Sequence, residues 1–159
     1  MEKKKAIKIV EPPNLFRKTQ QMIKKIESTI DGAFLAYWSA GSGSICHTDV
    51  PPLAEVLKHI GKHDKIYLFM KSTGGNGQAA LRQVNLLRQH GKRVIALIPL
   101  ECASAATMIS LGADEIHMGP LAYLTAVDTS LTHDLSAVDR NNYLIIVSHD
   151  GLNRVTTPL

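Results

Sequence analysis

Three short apolar runs, AFLAYW (33–38), KIYLFM (65–70) and RVIALIPL (93–100), alternate along the chain with segments of helical periodicity. This alternation limits the fold more than any other feature. Strands that are continuously apolar rather than alternating suit a sheet buried on both faces, and helices between them supply the crossovers that parallel pairing needs. The fold class is therefore α/β with a mostly parallel sheet.

The helices are legible by spacing. NLFRKTQQMIKKIESTIDG offers Asn14 as a cap and sets Leu15, Met22, Ile23, Ile26 and Ile30 on one face, ending near Gly32. HTDVPP gives Asp49 as a cap with prolines in the first turn, and Leu53, Val56, Leu57 and Ile60 then line a second helix. QAALRQVNLLRQHG predicts a third helix with Leu81, Val84 and Leu87 inward and Gly91 as its stop. ASAATMISLG predicts a short fourth helix closed by Gly112, DEIHMG a short strand, and Ser148 the cap of a last helix.

At 159 residues with 45% apolar content, the chain reads as one domain, 1–159, long enough to bury a core. Its two cysteines, Cys46 and Cys102, are too few for a secreted disulfide framework, so a reducing, cytoplasmic setting is expected. No signal peptide or membrane span is expected, because no apolar window approaches the roughly 20 residues a span requires. The net charge of +4 comes largely from lysines and arginines crowded before residue 26. Such clusters are usually solvated surface; peripheral contact with anionic lipid is the alternative, and no nucleic-acid partner is expected.

In parallel α/β sheets the binding crevice lies beyond the carboxyl ends of the strands, which selects two loops. KSTGGNG (71–77) follows the second strand; its paired glycines let backbone amides approach a ligand, although neither a P-loop nor a dinucleotide fingerprint is present. ECASAATM (101–108) sets Ser104 between a strand and a helix among small residues. That is where a strand-to-helix turn would expose a nucleophile, and equally where a serine caps a helix. Cys102 is a rival nucleophile, but its surroundings suit a small buried hydrophobe.

The order STGGNG, then ASAATM, then LGADEIHMGPLAYLTAVD resembles the serine dehydrogenase proteinase family, within the larger superfamily of the Clp protease proteolytic subunit, signal peptide peptidase A and the crotonases. The resemblance runs from about Arg17 to Leu152 and implies repeated β-β-α units, homo-oligomeric assembly and a peptide or protein substrate. It makes Ser104 the nucleophile and the amides of Gly75 and Ala105 the oxyanion hole, with Gly74 beside them at the substrate. It also implies a chain that continues beyond Leu159, so that 1–159 is a domain truncated at its C-terminus.

A serine needs a neighbour to take its proton, and the relatives use histidine or lysine. The matching histidine place falls near Val127 or Asp128, where Asp128 is the only ionisable group; His133, a few residues on with Asp134 beside it, is the second candidate. No lysine follows Lys92, leaving Lys71 as a remote third. His117 reads as a satisfied surface residue, and no zinc-ligand spacing occurs, so neither metal nor other cofactor is expected. The expected function is a Clp-like serine peptidase working through a Ser104 acyl-enzyme. Its alternatives are a catalytically incomplete oligomeric scaffold of the same fold and, more weakly, a crotonase-like acyl-coenzyme A enzyme.

Overall fold

The structure, a computed structural model, describes residues 15–127 together with 130–131, 140 and 147–148. Helix α1 (Leu15–Glu27) leads into strand β1 (Ala33–Trp38), and a 3-10 turn (His47–Asp49) opens α2 (Val50–Ile60). Then follow β2 (His63–Lys71), α3 (Gly77–His90), β3 (Gly91–Ile98), β4 (Glu101–Cys102), α4 (Ala105–Leu111), β5 (Glu115–Met118) and β6 (Tyr123–Leu124). Two short strands, β7 (Ser130–Leu131) and β8 (Val147–Ser148), pair antiparallel. Ser148 therefore stands in a strand rather than at a helix cap, and the residues after it lie outside those described.

The main sheet has the order β1-β2-β3-β5 and is parallel throughout. Its registers align Ala36 with Phe69, Phe69 with Leu97, and Leu97 with His117. A second, two-stranded parallel sheet joins β4 to β6.

The expectation of a sheet buried on both faces needs correcting. Along β2, Ile66, Leu68 and Met70 are buried, while the alternate residues Lys65, Tyr67, Phe69 and Lys71 are only half-buried. The second face tolerates this because its side chains are amphipathic or aromatic. Tyr67 donates to Asp31 at 2.8 Å, and Trp38 stacks on Phe69 with ring centroids 5.9 Å apart.

The core lies on the helical face. Leu57, Ile66, Met70, Ala79, Ala80, Leu87, Val94, Ile98, Cys102, Ala105, Ala106 and Ile109 form one cluster, with α2 packed on α3 and α3 on α4. Full burial of a large aliphatic side chain such as Ile66 stabilises by about 1.5–3 kcal/mol. Helix α3 turns a stripe of Ala79, Ala80, Gln83 and Leu87 inward and leaves Leu81 55% exposed, contrary to the expected Leu81–Val84–Leu87 face. The small alanines let the helix sit close to the sheet. Its start is capped by Asn76, whose Oδ1 accepts the Ala79 N–H at 2.8 Å. Asp49 does not cap α2 through its side chain; the carboxylate instead accepts Cys46 N–H at 2.9 Å and the Tyr37 hydroxyl at 2.8 Å.

Candidate active site

Both loops singled out by sequence meet at the carboxyl ends of β2 and β3. Strand β4 delivers Cys102 into the core, the chain turns through Ala103 and Ser104, and α4 begins at Ala105. Ser104 has φ 51° and ψ −118°, the sole positive φ among the described non-glycine residues. A residue held in such a region costs on the order of 1–3 kcal/mol and persists only when its surroundings over-determine it.

The capping alternative for Ser104 fails on geometry. It stands at the N-cap position of α4, yet its side chain caps nothing. The hydroxyl of this half-buried residue is bonded to no described group.

Three bonds fix the turn around it. The Ser104 N–H donates to Thr125 Oγ1 at 2.8 Å, the Thr125 N–H to Thr107 Oγ1 at 3.3 Å, and the Thr107 hydroxyl to the Cys102 carbonyl at 2.9 Å. Thr125 follows β6, which reaches the site by pairing with β4.

The glycine loop packs directly on this elbow. Ser72 N–H donates to the Glu101 carbonyl at 3.1 Å, and Ala103 N–H returns to the Ser72 carbonyl at 3.0 Å, so the two loops leave the sheet side by side. The buried Ser72 hydroxyl accepts from Ser39 Oγ and from the Gly74 amide, each at 3.1 Å.

Gly74 (φ 104°) and Gly75 (φ 143°) both need glycine's conformational freedom. A methyl on Gly74 would stand 2.6 Å from the Ala103 carbonyl oxygen and 2.8 Å from Ser104 Cβ, whereas one on Gly75 would run into the Ile45 backbone. Ile45 brackets the loop, donating to the Gly74 carbonyl at 2.7 Å and accepting the Asn76 amide at 2.8 Å. Between those bonds, the amide of exposed Gly75 has no acceptor among the described residues, nor does the amide of Ala105 in the first turn of α4. Among the described residues, the Gly75 and Ala105 amides and the Ser104 hydroxyl are thus all without a hydrogen-bond partner.

An ion pair ties the two loops at their roots. Lys71 Nζ lies 2.7 Å from Glu101 Oε1, and Tyr123 donates to Glu101 Oε2 at 3.1 Å. The Lys71 ammonium also sits 5.9 Å from the Trp38 ring centroid. These bonds to Lys71, and then to Tyr123, hold the Glu101 carboxyl below the ordinary glutamate range. Lys71 is thus engaged with Glu101 and Trp38 at the root of the loops. The fully buried Cys102 is no rival to Ser104, since burial pushes its thiol up and its sulfur lies 3.1 Å from Ser110 Oγ.

The two candidate bases, Asp128 and His133, lie outside the described residues. His117 pairs with Glu115 at 2.9 Å on the exposed edge of the sheet, as a satisfied surface residue. His63 and His90 each bond a helix carbonyl, of Ile60 and Leu86 respectively. Among the described residues there is no group of three metal-ligating side chains, and no helix long and apolar enough to cross a membrane. Sequence reasoning overlooked Ser72 and Thr125. Ser72 could have been suspected as the first residue of the glycine loop, whereas nothing in AYLTAVD distinguishes the threonine before folding brings β6 beside β4.

No protein-family model and no curated protein matches the sequence. Among solved structures, the chain is similar to the 1510-N membrane-bound stomatin-specific protease. A lysine-to-alanine mutant of that protease in complex with a substrate peptide aligns at 21% identity and a TM-score of 0.53, covering 77% of this chain and 53% of that one. A serine-to-alanine mutant aligns at 20% identity and a TM-score of 0.52, covering 77% and 56%. ClpP1 from Listeria monocytogenes, as an asparagine-to-aspartate mutant, aligns at 21% identity and a TM-score of 0.45, covering 60% and 51%. The chain spans about half the length of these structures. At this level of identity the likeness concerns the fold, which is α/β with a mostly parallel sheet, of the Clp/crotonase type.

Proposed function

We propose that this chain is a Clp-like serine hydrolase of the serine dehydrogenase proteinase type, cleaving peptide bonds through an acyl-enzyme. One observation carries the reading: Ser104 is held at positive φ with its hydroxyl bonded to no described group, at a turn against which the glycine loop packs. In this reading the amides of Gly75 and Ala105, which have no acceptor among the described residues, form the oxyanion hole. Ser104 Oγ attacks the scissile carbonyl carbon as its proton passes to a base. The carbonyl oxygen becomes an oxyanion received by the two amides, the C–N bond breaks as the amine leaves with a proton, and water releases the acyl group to restore Ser104. Asp128 or His133 takes the proton. The likeness to a protease bound to a substrate peptide supports the substrate class, and the resemblance in LGADEIHMGP supports the narrower family, homo-oligomeric assembly and a cytoplasmic setting.

A fluorophosphonate probe tests the reading. The assembled wild type is expected to be labelled and Ser104→Ala not; equal labelling of the two, or none of either, sinks it. Asp128→Asn and His133→Ala compared in the same assay identify the base, and full activity in both removes both candidates. A second reading, an oligomeric scaffold with an unfinished site, is favoured by the lack of any bond from the Ser104 hydroxyl to a described side chain. An unlabelled, folded wild type is its expected result.

A further inference from the structure

We infer that Thr125 is a positioning residue for the Ser104 nucleophile, holding the elbow in its strained conformation by accepting the N–H of the nucleophile itself. This rests on the hydrolase reading above. The strain at Ser104 needs an anchor on each side of the residue. Upstream, Ala103 N–H is tied to the Ser72 carbonyl at 3.0 Å; downstream, Met108 N–H is tied to the Ser104 carbonyl at 3.2 Å. Neither bond engages the Ser104 amide, which has no backbone acceptor among the described residues and would otherwise be an orphan donor at the turn. Thr125 Oγ1 takes it at 2.8 Å.

Thr125 is itself placed by the elbow it serves. Its N–H donates to Thr107 Oγ1 at 3.3 Å, and the buried Thr107 hydroxyl donates to the Cys102 carbonyl at 2.9 Å. Two threonines therefore close a ring of bonds from the residue two before the nucleophile, through the residue three after it, back to the nucleophile's own amide. The Thr125 hydroxyl proton is directed to the Ala126 carbonyl at 3.2 Å, so the oxygen faces Ser104 as an acceptor. It takes no proton from the reaction. Its effect is on where Ser104 Oγ points relative to the Gly75 and Ala105 amides.

The assay is fluorophosphonate labelling and peptide hydrolysis by the assembled protein, with Thr125→Val, which keeps the shape and removes the acceptor, beside Thr125→Ser, which restores it. Thr125→Val is expected to lower kcat by about tenfold or more with KM within about twofold and no displacement of the pH profile, because only the alignment of the attacking oxygen has changed. Thr125→Ser recovers most of the rate. Thr107→Val, which cuts the second rung, falls between them. Melting curves establish that each variant is folded, and should Thr125→Val not fold, the loss of kcat and of Ser104 amide protection in Thr107→Val is read instead, with an unchanged kcat there overturning the positioning role. Equal kcat in wild type and Thr125→Val, a loss confined to KM, or a displaced pH profile overturns the positioning role while leaving the hydrolase reading intact. A folded wild type that neither labels nor hydrolyses overturns both.

Discussion

Gly74 bears on the site more directly than any charged residue near it. The backbone at φ 104° disfavours any side chain, and a methyl there would press on the Ala103 carbonyl and on Ser104 Cβ. Gly74→Ala is therefore expected to destabilise the fold by about 1–3 kcal/mol. On the proposed hydrolase reading it should also lower fluorophosphonate labelling by about 100-fold or more, because it would displace the neighbouring Gly75 amide and a lost oxyanion donor costs that much. Chemical denaturation and labelling rate, measured on the same preparation, check the two effects; normal labelling in a destabilised variant would separate the loop from the chemistry. The glycine pair was legible in the sequence because STGGNG follows a strand and precedes a helix. The state of Ser104 was not. Serine at a helix start is the commonest of caps, and only the backbone angles and the absence of a capping bond reveal that its hydroxyl is unspent.

Between elements, the Lys71–Glu101 pair joins the end of β2 to the start of β4 and so sets the spacing of the glycine loop from the serine elbow. Lys71 and Tyr123 hold the Glu101 carboxyl below its ordinary range, and a carboxylate depressed in the folded state stabilises the fold at pH above its unfolded value. That contribution is lost as pH falls through the folded value, in the acid region below the ordinary glutamate range. Asp31, Asp64 and Glu115 are depressed as well, by Lys65, Lys92 and His117 respectively, so the wild-type acid transition is a composite. The informative quantity is the gap in melting temperature between wild type and Glu101→Gln. It is expected to be largest near neutral pH and to close on acidification, and a gap that does not vary with pH would remove the clamp's electrostatic role. The elements themselves were largely readable, because apolar runs and 3.6-residue spacing are local signals. Their faces were less so: Leu81 and Val56 carry large side chains at helical spacing but stand exposed, while small Ala79 and Ala80 face the sheet. Periodicity weights size, whereas close helix–sheet approach rewards its absence.

At the scale of the molecule, the support of Ser104 belongs to the core. Cys102, Ala105, Ala106 and Ile109 lie in the same buried cluster as Leu57 of α2 and Ile66 of β2, with α2 packed chiefly on α3 and α3 on α4. A defect at either end should therefore affect stability alike and chemistry differently. Leu57→Ala removes a fully buried side chain one helix away from the elbow and is expected to lower stability by about 2–5 kcal/mol. Labelling per folded molecule should not change. Ala106→Leu forces extra volume into a site with no exposure at all, two residues after Ser104, and is expected to cost about 1–3 kcal/mol through overpacking. Because the Ala106 amide bonds the Ala103 carbonyl at 2.9 Å across the turn, that strain reaches Ser104, and labelling should fall at least about tenfold at equal folded fraction. Urea titrations give the folded fraction and probe kinetics the rate. If both variants lose labelling only in proportion to unfolding, the elbow is held by its own hydrogen bonds and the core beneath it does no more than keep the chain folded.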